Sequence, residues 1–533
     1  AEGSLRRASI VMAAGTMVSR ILGFVRTYLL TVIAAGTSLT LDAFQAANTL
    51  PNVVFILLSA GVLNAILIPQ ITRAMKQPDG GQEFVDRLLT VSFASVLVVT
   101  TVATLASPWL LDLYFSSSGA TRHLTIFFGF ICMPQIFFYG LYAILGQVLN
   151  ARNQFAAFMW SPVLANVIQI AGLVWFLVQF GAHPDPATWT PEMVWVLAGT
   201  TTLGIIIQGL FLIIPLHRGG FRWRPRWGIR GYGLGAAARI TVWTFTALVI
   251  AQFAGIIMKK MLSHVRLVHP EVSSSISAYD NAFLIFMLPQ SFITTSILTA
   301  LFPRMSRANA DGNNSAMKKL LRQGLEMPAL AIIPCSLAMV VLARPGVQTV
   351  FSLEPGQVGS LARAVAVMGV GLLPFGIATL QQRYCFARED GKLNLIMQAV
   401  TTGVQLIILV TMFVFPPQHA LVVVAAAQTI ANLVGAVAWL VVASRQLGGI
   451  GMGEVNRLWT KLAVASIVAA VPTYLVAHGI DAAGHGAWVG HAGGTLIGGV
   501  LFVALFLVLA KILRIVEVLD LLNPMLRKVM RRS

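Results

Sequence analysis

One stretch decides the fold: residues 19–75, SRILGFVRTYLLTVIAAGTSLTLDAFQAANTLPNVVFILLSAGVLNAILIPQITRAM. It contains two long apolar helices, yet Arg20 and Arg26 lie inside the first, Asp42 opens the second and Pro51 interrupts it. Charged side chains at this depth are costly in hydrocarbon, so they normally face a protein interior or a water-filled cavity. Broken membrane helices are tolerated where they line such a cavity. The stretch therefore predicts a membrane transporter with a cationic cavity for an anionic ligand.

The composition indicates a polytopic membrane protein. The 533 residues are 57% hydrophobic and 11% charged, with a mean hydropathy of +0.80, whereas a soluble domain carries roughly 25% charged residues. No cleavable signal peptide is expected, because the first apolar stretch is longer than a signal-peptide core of about 7–15 residues. Because a span needs roughly 20 apolar residues, we place fourteen spans near residues 9–34, 42–72, 86–112, 124–150, 156–181, 191–216, 236–262, 276–305, 319–343, 361–386, 394–415, 420–444, 458–478 and 490–513.

The net charge of +18 is distributed as a membrane topology requires, so no nucleic-acid partner is expected. With the N-terminus inside, the even-numbered loops and both tails hold 28 Lys and Arg. The odd-numbered loops and the adjoining span ends hold six, and the remaining three lie deeper within spans. In membrane proteins, Lys and Arg are enriched in the short loops on the cytoplasmic side. Both termini are therefore predicted to be cytoplasmic.

A weak internal repeat predicts two lobes. DAFQAANTLPN at 42–52, followed by Pro69 and Arg73, has an echo in SAYDNAFLIFMLPQ at 277–290, followed by Pro303 and Arg307. Six spans separate the copies, so both run in the same direction, as in some transporters. The predicted fold is an all-α membrane protein with two parallel six-helix lobes and a C-terminal helix pair. The predicted divisions are an N-lobe at 1–216, a basic cytoplasmic linker at 217–235, a C-lobe at 236–446, the helix pair at 447–513 and a basic amphipathic tail at 514–533.

Arg20 and Arg26 are the first candidates for a binding site. Six residues of helix put their faces roughly 120° apart, so both can line one wide cavity. The alternative is that they snorkel to the cytoplasmic headgroups, which is harder from the middle of a span. A guanidinium binds phosphate with two hydrogen bonds, and diphosphate is a polyanion expected in a membrane. Asp42 is predicted either to pair with one of these arginines or to cap the second helix.

Six further polar residues complete the candidate set. Gln45 and Asn52 follow Asp42 in the second span, and Gln252 lies deeper in the seventh span than Lys259 and Lys260, whose alternative role is snorkelling. Asp280 and Asn281 open the eighth span and are candidates for ion coupling.

The sequence carries no signature of an enzyme or of an ATP-driven pump. It has no HExxH, no GxxxxGK[ST] and no Gly-x-Ser-x-Gly motif. The few carboxylates form no cluster for a metal ion, and the three cysteines are predicted to be small core fillers. We expect no metal site and no cofactor.

Several short stretches resemble one known family. They are SRILGFVR at 19–26, DAF at 42–44, LPN at 50–52, Pro69, LFPRMS at 301–306 and RYCFARED at 383–390. The first four resemble the N-terminal signature of the MurJ (MviN) lipid II flippases, members of the multidrug/oligosaccharidyl-lipid/polysaccharide exporter superfamily. The resemblance implies two six-helix lobes and a C-terminal pair that forms a groove for the lipid tail. It also implies a multi-pass protein of the bacterial plasma membrane.

The implied function is transfer of undecaprenyl-diphosphate-linked muropeptide, lipid II, from the inner to the outer leaflet by alternating access. Arg20 and Arg26 match family arginines that bind the diphosphate, and Asp42 matches a family aspartate. Two other family arginines are replaced by Phe55 and Leu284.

Because half of the familiar positive cluster is absent, we expect Lys259 and Lys260 to supply substitute charge. The energy source is left open among sodium, protons and membrane potential.

Three alternatives remain at this point. A flippase for another polyprenyl-linked saccharide would share the cationic cavity. A drug antiporter would prefer carboxylates there, since arginines repel cations. A non-transporting scaffold would recruit cell-wall synthesis proteins through the basic loops, with membrane lipids as its other contacts.

Overall fold

A computed structural model describes residues 2–59, 82–152, 154–228, 235–484 and 486–518. Throughout these ranges the regular structure is helical, without a strand, so the predicted all-α class is confirmed. Pro69 and Arg73, which follow the first copy of the predicted repeat, lie outside the described residues. Most of the predicted tail at 514–533 also lies outside them.

The chain divides into two compact units. The first comprises Ala1–Glu271, Ser275–Ser277 and Phe351–Glu354, and the second comprises Val272–Ser274, Ala278–Val350 and Pro355–Ser533. The finer division predicted from the sequence, with boundaries at 216, 236 and 447, stays a prediction.

The described part of the first unit contains ten α-helices. They are α1 (Glu2–Ile33), α2 (Leu39–Leu58), α3 (Gln82–Leu105), α4 (Ser107–Tyr114), α5 (Gly119–Cys132), α6 (Gln135–Ala151), α7 (Phe155–Gln179), α8 (Pro191–Phe211), α9 (Ile213–Arg218) and α10 (Gly235–Val268).

The second unit continues the helical pattern through its described residues. Its helices are α11 (Ile276–Pro289), a π-helical segment (Gln290–Thr294), α12 (Thr295–Ala310), α13 (Asn314–Val350), α14 (Pro355–Val370), α15 (Leu372–Ala387), α16 (Gly391–Val410), α17 (Ala420–Leu447), α18 (Met452–Ala483) and α19 (Trp488–Ile512).

The number of spans agrees with the sequence prediction. Within the described ranges, thirteen helical segments are long and apolar enough to cross a membrane, and a bent pair brings the total to fourteen. That pair is α14 and α15, which meet at Gly371 with a bend of 50°. A Cβ on Gly371 would lie 2.7 Å from Thr429 Oγ1, so the close approach of α17 at the bend requires glycine.

The packing is that of a protein solvated by lipid. Each described candidate span buries only 22–61% of its most apolar window. Contacts inside the units use small residues, as expected where helices associate without water-driven burial. At Gly172 of α7, a Cβ would lie 2.1 Å from Thr200 Oγ1 of α8. This close approach sets α7 and α8 side by side and positions the polar residues described next.

Candidate functional site

A half-buried arginine links the first helix of this unit to the seventh. Arg26, on α1, donates from Nη1 to Gln169 Oε1 of α7 at 2.6 Å. Gln169 is 1% exposed, and its Nε2 donates to the Thr201 carbonyl of α8 at 3.1 Å. The Nε of Arg26 is also buried and has no hydrogen-bond partner among the described residues. The guanidinium is therefore held in place through one nitrogen while another donor is left unsatisfied.

A glycine makes room for this arrangement. A Cβ on Gly204 of α8 would lie 2.8 Å from Gln169 Cγ and 2.9 Å from the Ala165 carbonyl oxygen. Any larger residue would displace the glutamine that holds Arg26. The arginine's position thus depends on three helices, α1, α7 and α8.

Arg20 lies one and a half to two turns earlier on α1 and is half-buried. The preceding residue, Ser19, anchors this turn to α7, because Asn166 Nδ2 donates to the Ser19 carbonyl at 3.0 Å and to Ser19 Oγ at 3.1 Å. The same α1–α7 contact therefore supports both predicted arginines.

A second set of polar residues joins α2, α6 and α8. Gln135 is fully buried at the start of α6, and its Nε2 donates to Asn48 Oδ1 at 3.1 Å and to Thr202 Oγ1 at 3.0 Å. Thr202 in turn donates to the Ile131 carbonyl at 3.0 Å. Gln135, Asn48 and Gln169 escape sequence reasoning because isolated amides in apolar helices give no spacing signal.

Phe55, which replaces a family arginine, packs in an aromatic pair. Its ring stacks on Tyr139 with centroids 5.9 Å apart and an interplanar angle of 27°. Tyr139 lies within electrostatic range of Arg26. Phe55 thus lies beside a neighbour of Arg26 and adds no charge there.

Asp42 is buried and caps a helix other than its own. Its Oδ1 accepts hydrogen bonds from the backbone N–H of Ser277 at 2.9 Å and from Ser277 Oγ at 2.5 Å. Ser277 lies in the first turn of α11, where unpaired N–H groups favour a carboxylate. Arg266, near the end of α10, lies within electrostatic range. The predicted cap of the second helix is not found, since the hydrogen bonds of Asp42 are instead with Ser277 at the start of α11.

The other predicted residues of α2 differ in exposure. Asn52 is exposed, whereas Gln45 is half-buried and its Oε1 is a buried atom without a hydrogen-bond partner. Their predicted place in the cavity stays a prediction.

The lysine pair contacts α4. Lys260 Nζ donates to the Asp112 carbonyl, and Lys259, which is 8% exposed, places Nζ 5.5 Å from the centroid of the Tyr114 ring. Gln252 is half-buried on the same helix, α10. These contacts tie α10 to α4, and the predicted substitution of these lysines for the missing arginines stays a prediction.

The two residues predicted for ion coupling lie at the start of α11 in the second unit. Asp280 is half-buried, and Asn281 is 1% exposed, with no partner for its Nδ2 in the described part of the chain. Among the described residues, no group of three or more His, Cys, Asp or Glu side chains is placed to hold a metal ion.

Comparison with known proteins decides the family. The family model described as "Lipid II flippase MurJ" matches residues 32–487, which is well over half of the chain. The chain belongs to the MurJ family. The resemblance seen in the sequence is therefore confirmed, and the protein is a multi-pass protein of the bacterial inner membrane.

Relatives and solved structures agree with this assignment. A probable lipid II flippase MurJ of Rhizobium meliloti is 25% identical over 447 residues, covering 81% of this chain and 79% of the relative. A lipid II flippase MurJ of Burkholderia cenocepacia is 25% identical over 422 residues, covering 78% and 79%. The solved structure "Lipid II flippase MurJ, inward closed conformation" has a TM-score of 0.71 at 18% identity, covering 94% of this chain and 98% of that one.

A similar fold is found in solved structures of drug transporters. An inward-facing multidrug resistance MATE family transporter of the MOP superfamily has a TM-score of 0.64 at 17% identity, covering 83% of this chain and 98% of that one. The MurJ family model begins at residue 32. The assignment of Arg20 and Arg26 to the family's arginines therefore stays a prediction from the SRILGFVR signature.

Proposed function

We propose that this chain is a lipid II flippase that moves undecaprenyl-diphosphate-linked muropeptide from the inner to the outer leaflet. The observation that carries the proposal is the Arg26 guanidinium, held by Gln169 inside a membrane span, in a chain of the MurJ family. Its buried Nε has no hydrogen-bond partner among the described residues. A half-buried cation with a spare donor is suited to a diphosphate oxygen. Arg20 is the second predicted contact on the same helix.

The transport cycle is alternating access, with both termini in the cytoplasm. The orientation is supported by the distribution of Lys and Arg over the loops. No enzymatic step is part of the proposal, because flipping leaves every covalent bond of the substrate intact. Sodium, protons and membrane potential remain three candidate energy sources, and imposing each gradient alone on proteoliposomes separates them.

The test is lipid II exposure on the outer leaflet of cells depleted of their own flippase and complemented by this chain. Wild type is expected to restore exposure. Arg20→Ala and Arg26→Ala are expected to lose most of it, because a hydrogen bond to a charged group contributes about 1.5–3 kcal/mol, or about 10- to 100-fold in binding. Arg224→Ala, an exposed arginine of the basic segment, is the matched control and is expected to behave as wild type.

Each remaining outcome is decisive. If correctly inserted wild type restored no lipid II exposure, we would propose another polyprenyl-linked substrate in place of lipid II. Exposure from wild type and both variants would keep the function and exclude the arginine site. A scaffold would leave the depleted cells without exposure while its binding to cell-wall synthesis proteins persisted.

A further inference from the structure

The basic segment His217–Gly228 is folded against helix α3. Gln82 Nε2 donates to the Arg222 carbonyl at 3.1 Å. Trp223 Nε1 lies 3.3 Å from the Asp86 carbonyl oxygen and 3.2 Å from Thr90 Oγ1. Thr90 Oγ1 also accepts the backbone N–H of Arg226 at 3.0 Å. The segment is therefore a docked part of the first unit, whereas the sequence predicts only a linker.

Both ends of the segment are fixed as well. Arg87 of α3 donates from Nη1 to the carbonyls of Trp227 at 3.1 Å and Gly228 at 3.2 Å. At the other end, Arg152 donates to the Gly219 carbonyl at 2.8 Å and lies over the Phe221 ring at 5.2 Å. The backbone is thus held at several points along its length.

This docking encloses a cavity of about 660 Å³ between the segment and helices α3, α6 and α9. Its wall is apolar and includes Leu89, Phe93, Leu145 and Ile213. Trp223 closes one side, packing edge to face on Phe93 with centroids 5.3 Å apart. Because the Trp223 indole N–H is already bonded to α3, the ring presents only apolar surface to the cavity.

One cationic side chain and one imidazole lie at the mouth of the cavity. Arg222 and His217 line it, and both residues are exposed. The cavity has the size and apolar lining of a site for a small ligand, with a few polar groups that fix its orientation. Its opening lies in the loop that the charge distribution assigns to the cytoplasmic face, where acidic lipids attract basic residues and tryptophan favours the interface.

We propose that this cavity binds one acidic phospholipid of the cytoplasmic leaflet. An acyl chain fills the apolar interior, and the headgroup phosphate binds Arg222, with His217 beside it. Charge complementarity and the membrane-interface position favour this occupant over a neutral lipid or a peptide. The site is independent of the proposed flipping, since it shares no residue with the Arg26 cluster.

The test is native mass spectrometry of the purified full chain with added phosphatidylglycerol or phosphatidylcholine carrying the same acyl chains. Wild type is expected to retain one phosphatidylglycerol at energies that remove phosphatidylcholine. Arg222→Gln is expected to weaken that binding about fivefold, the effect of one arginine near a membrane surface. Ile213→Trp, which fills the cavity from a 45% exposed position, is expected to remove most of the retained lipid.

Two matched controls separate this site from general lipid association. Arg224→Gln removes an exposed arginine of the same segment, and Ile214→Trp enlarges the neighbouring residue, 48% exposed, which does not line the cavity. Both are expected to bind as wild type, with thermal unfolding midpoints showing that all variants are folded.

Three results would overturn the proposal. Equal retention of the two lipids would indicate ordinary annular binding. If Arg224→Gln reduced phosphatidylglycerol retention as much as Arg222→Gln, the effect would be one of overall charge and not of this site. A non-lipid adduct removed by Ile213→Trp would assign the cavity to a peptide. Because the readout is lipid retention, its failure leaves the flipping proposal standing, and the reverse also holds.

Discussion

Each of the two units contains a buried glutamine whose Nε2 donates to a backbone carbonyl. The two glutamines differ in the surroundings of the amide oxygen, Oε1. Gln169 in the first unit and Gln290 in the second are both 1% exposed, and both donate Nε2 to a backbone carbonyl of a neighbouring helix, that of Thr201 or Leu372. Gln169 Oε1 accepts from Arg26, whereas Gln290 Oε1 is buried without a partner. The same side chain thus holds a cation in one unit and retains an unsatisfied oxygen in the other.

The surroundings of the second glutamine explain how that oxygen is accommodated. Gln290 begins the π-helical segment, and the bend at Gly371 presents the Leu372 carbonyl to its Nε2. Thr294 Oγ1 is also buried and unpaired, and both oxygens lie 3.5–3.6 Å from the position of a Cβ on Gly376. The comparison shows that the two glutamines differ in whether a cation lies within reach of the amide oxygen.

The largest expected effect on stability is that of Gln169→Leu. It removes the buried acceptor of the Arg26 guanidinium, and a hydrogen bond to a charged group contributes about 1.5–3 kcal/mol. We expect the free energy of unfolding in detergent to fall by about 2–3 kcal/mol, together with loss of lipid II exposure. A double-mutant cycle with Arg26→Leu measures the coupling. A coupling free energy near zero would show that Gln169 does not hold Arg26 in place.

The contact between Asp42 and Ser277 tests the role of charge at a second place in the first unit. Asp42→Ala is expected to cost about 1–2 kcal/mol, because the start of α11 loses its charged acceptor. Ser277→Ala removes only the hydroxyl and is expected to cost about 1 kcal/mol. Asp42→Asn keeps an acceptor and is the matched control. If Asp42→Asn were as unstable as Asp42→Ala, the carboxylate charge itself, and not the hydrogen bond, would be the stabilising feature.

The spans and the family could be predicted from the sequence, because both depend on local sequence patterns. Fourteen apolar stretches identify the spans, and arginines such as Arg26 are conspicuous in hydrocarbon. The partners of these residues were not accessible. Gln169 contacts Arg26 across 143 positions and Ser277 contacts Asp42 across 235, and no local pattern specifies such pairs. The docking of the basic segment on α3 was missed for the same reason, since most of its bonds use backbone carbonyls that every sequence supplies.

The smallest expected effect is that of Gln290→Leu, the counterpart of Gln169→Leu. The substitution removes one neutral hydrogen bond, which contributes about 0.5–1.5 kcal/mol, but it also removes a buried oxygen that has no partner. These two changes oppose each other, so we expect the free energy of unfolding to change by less than about 1 kcal/mol. The measurement is the same detergent unfolding experiment, with Gln169→Leu alongside. A loss as large as that of Gln169→Leu would mean that Gln290 Oε1 and Thr294 Oγ1 hold a water or a cation in the membrane. The second unit would then have a polar site equivalent to that of the first, and the difference between the two glutamines would be one of ligand and not of role.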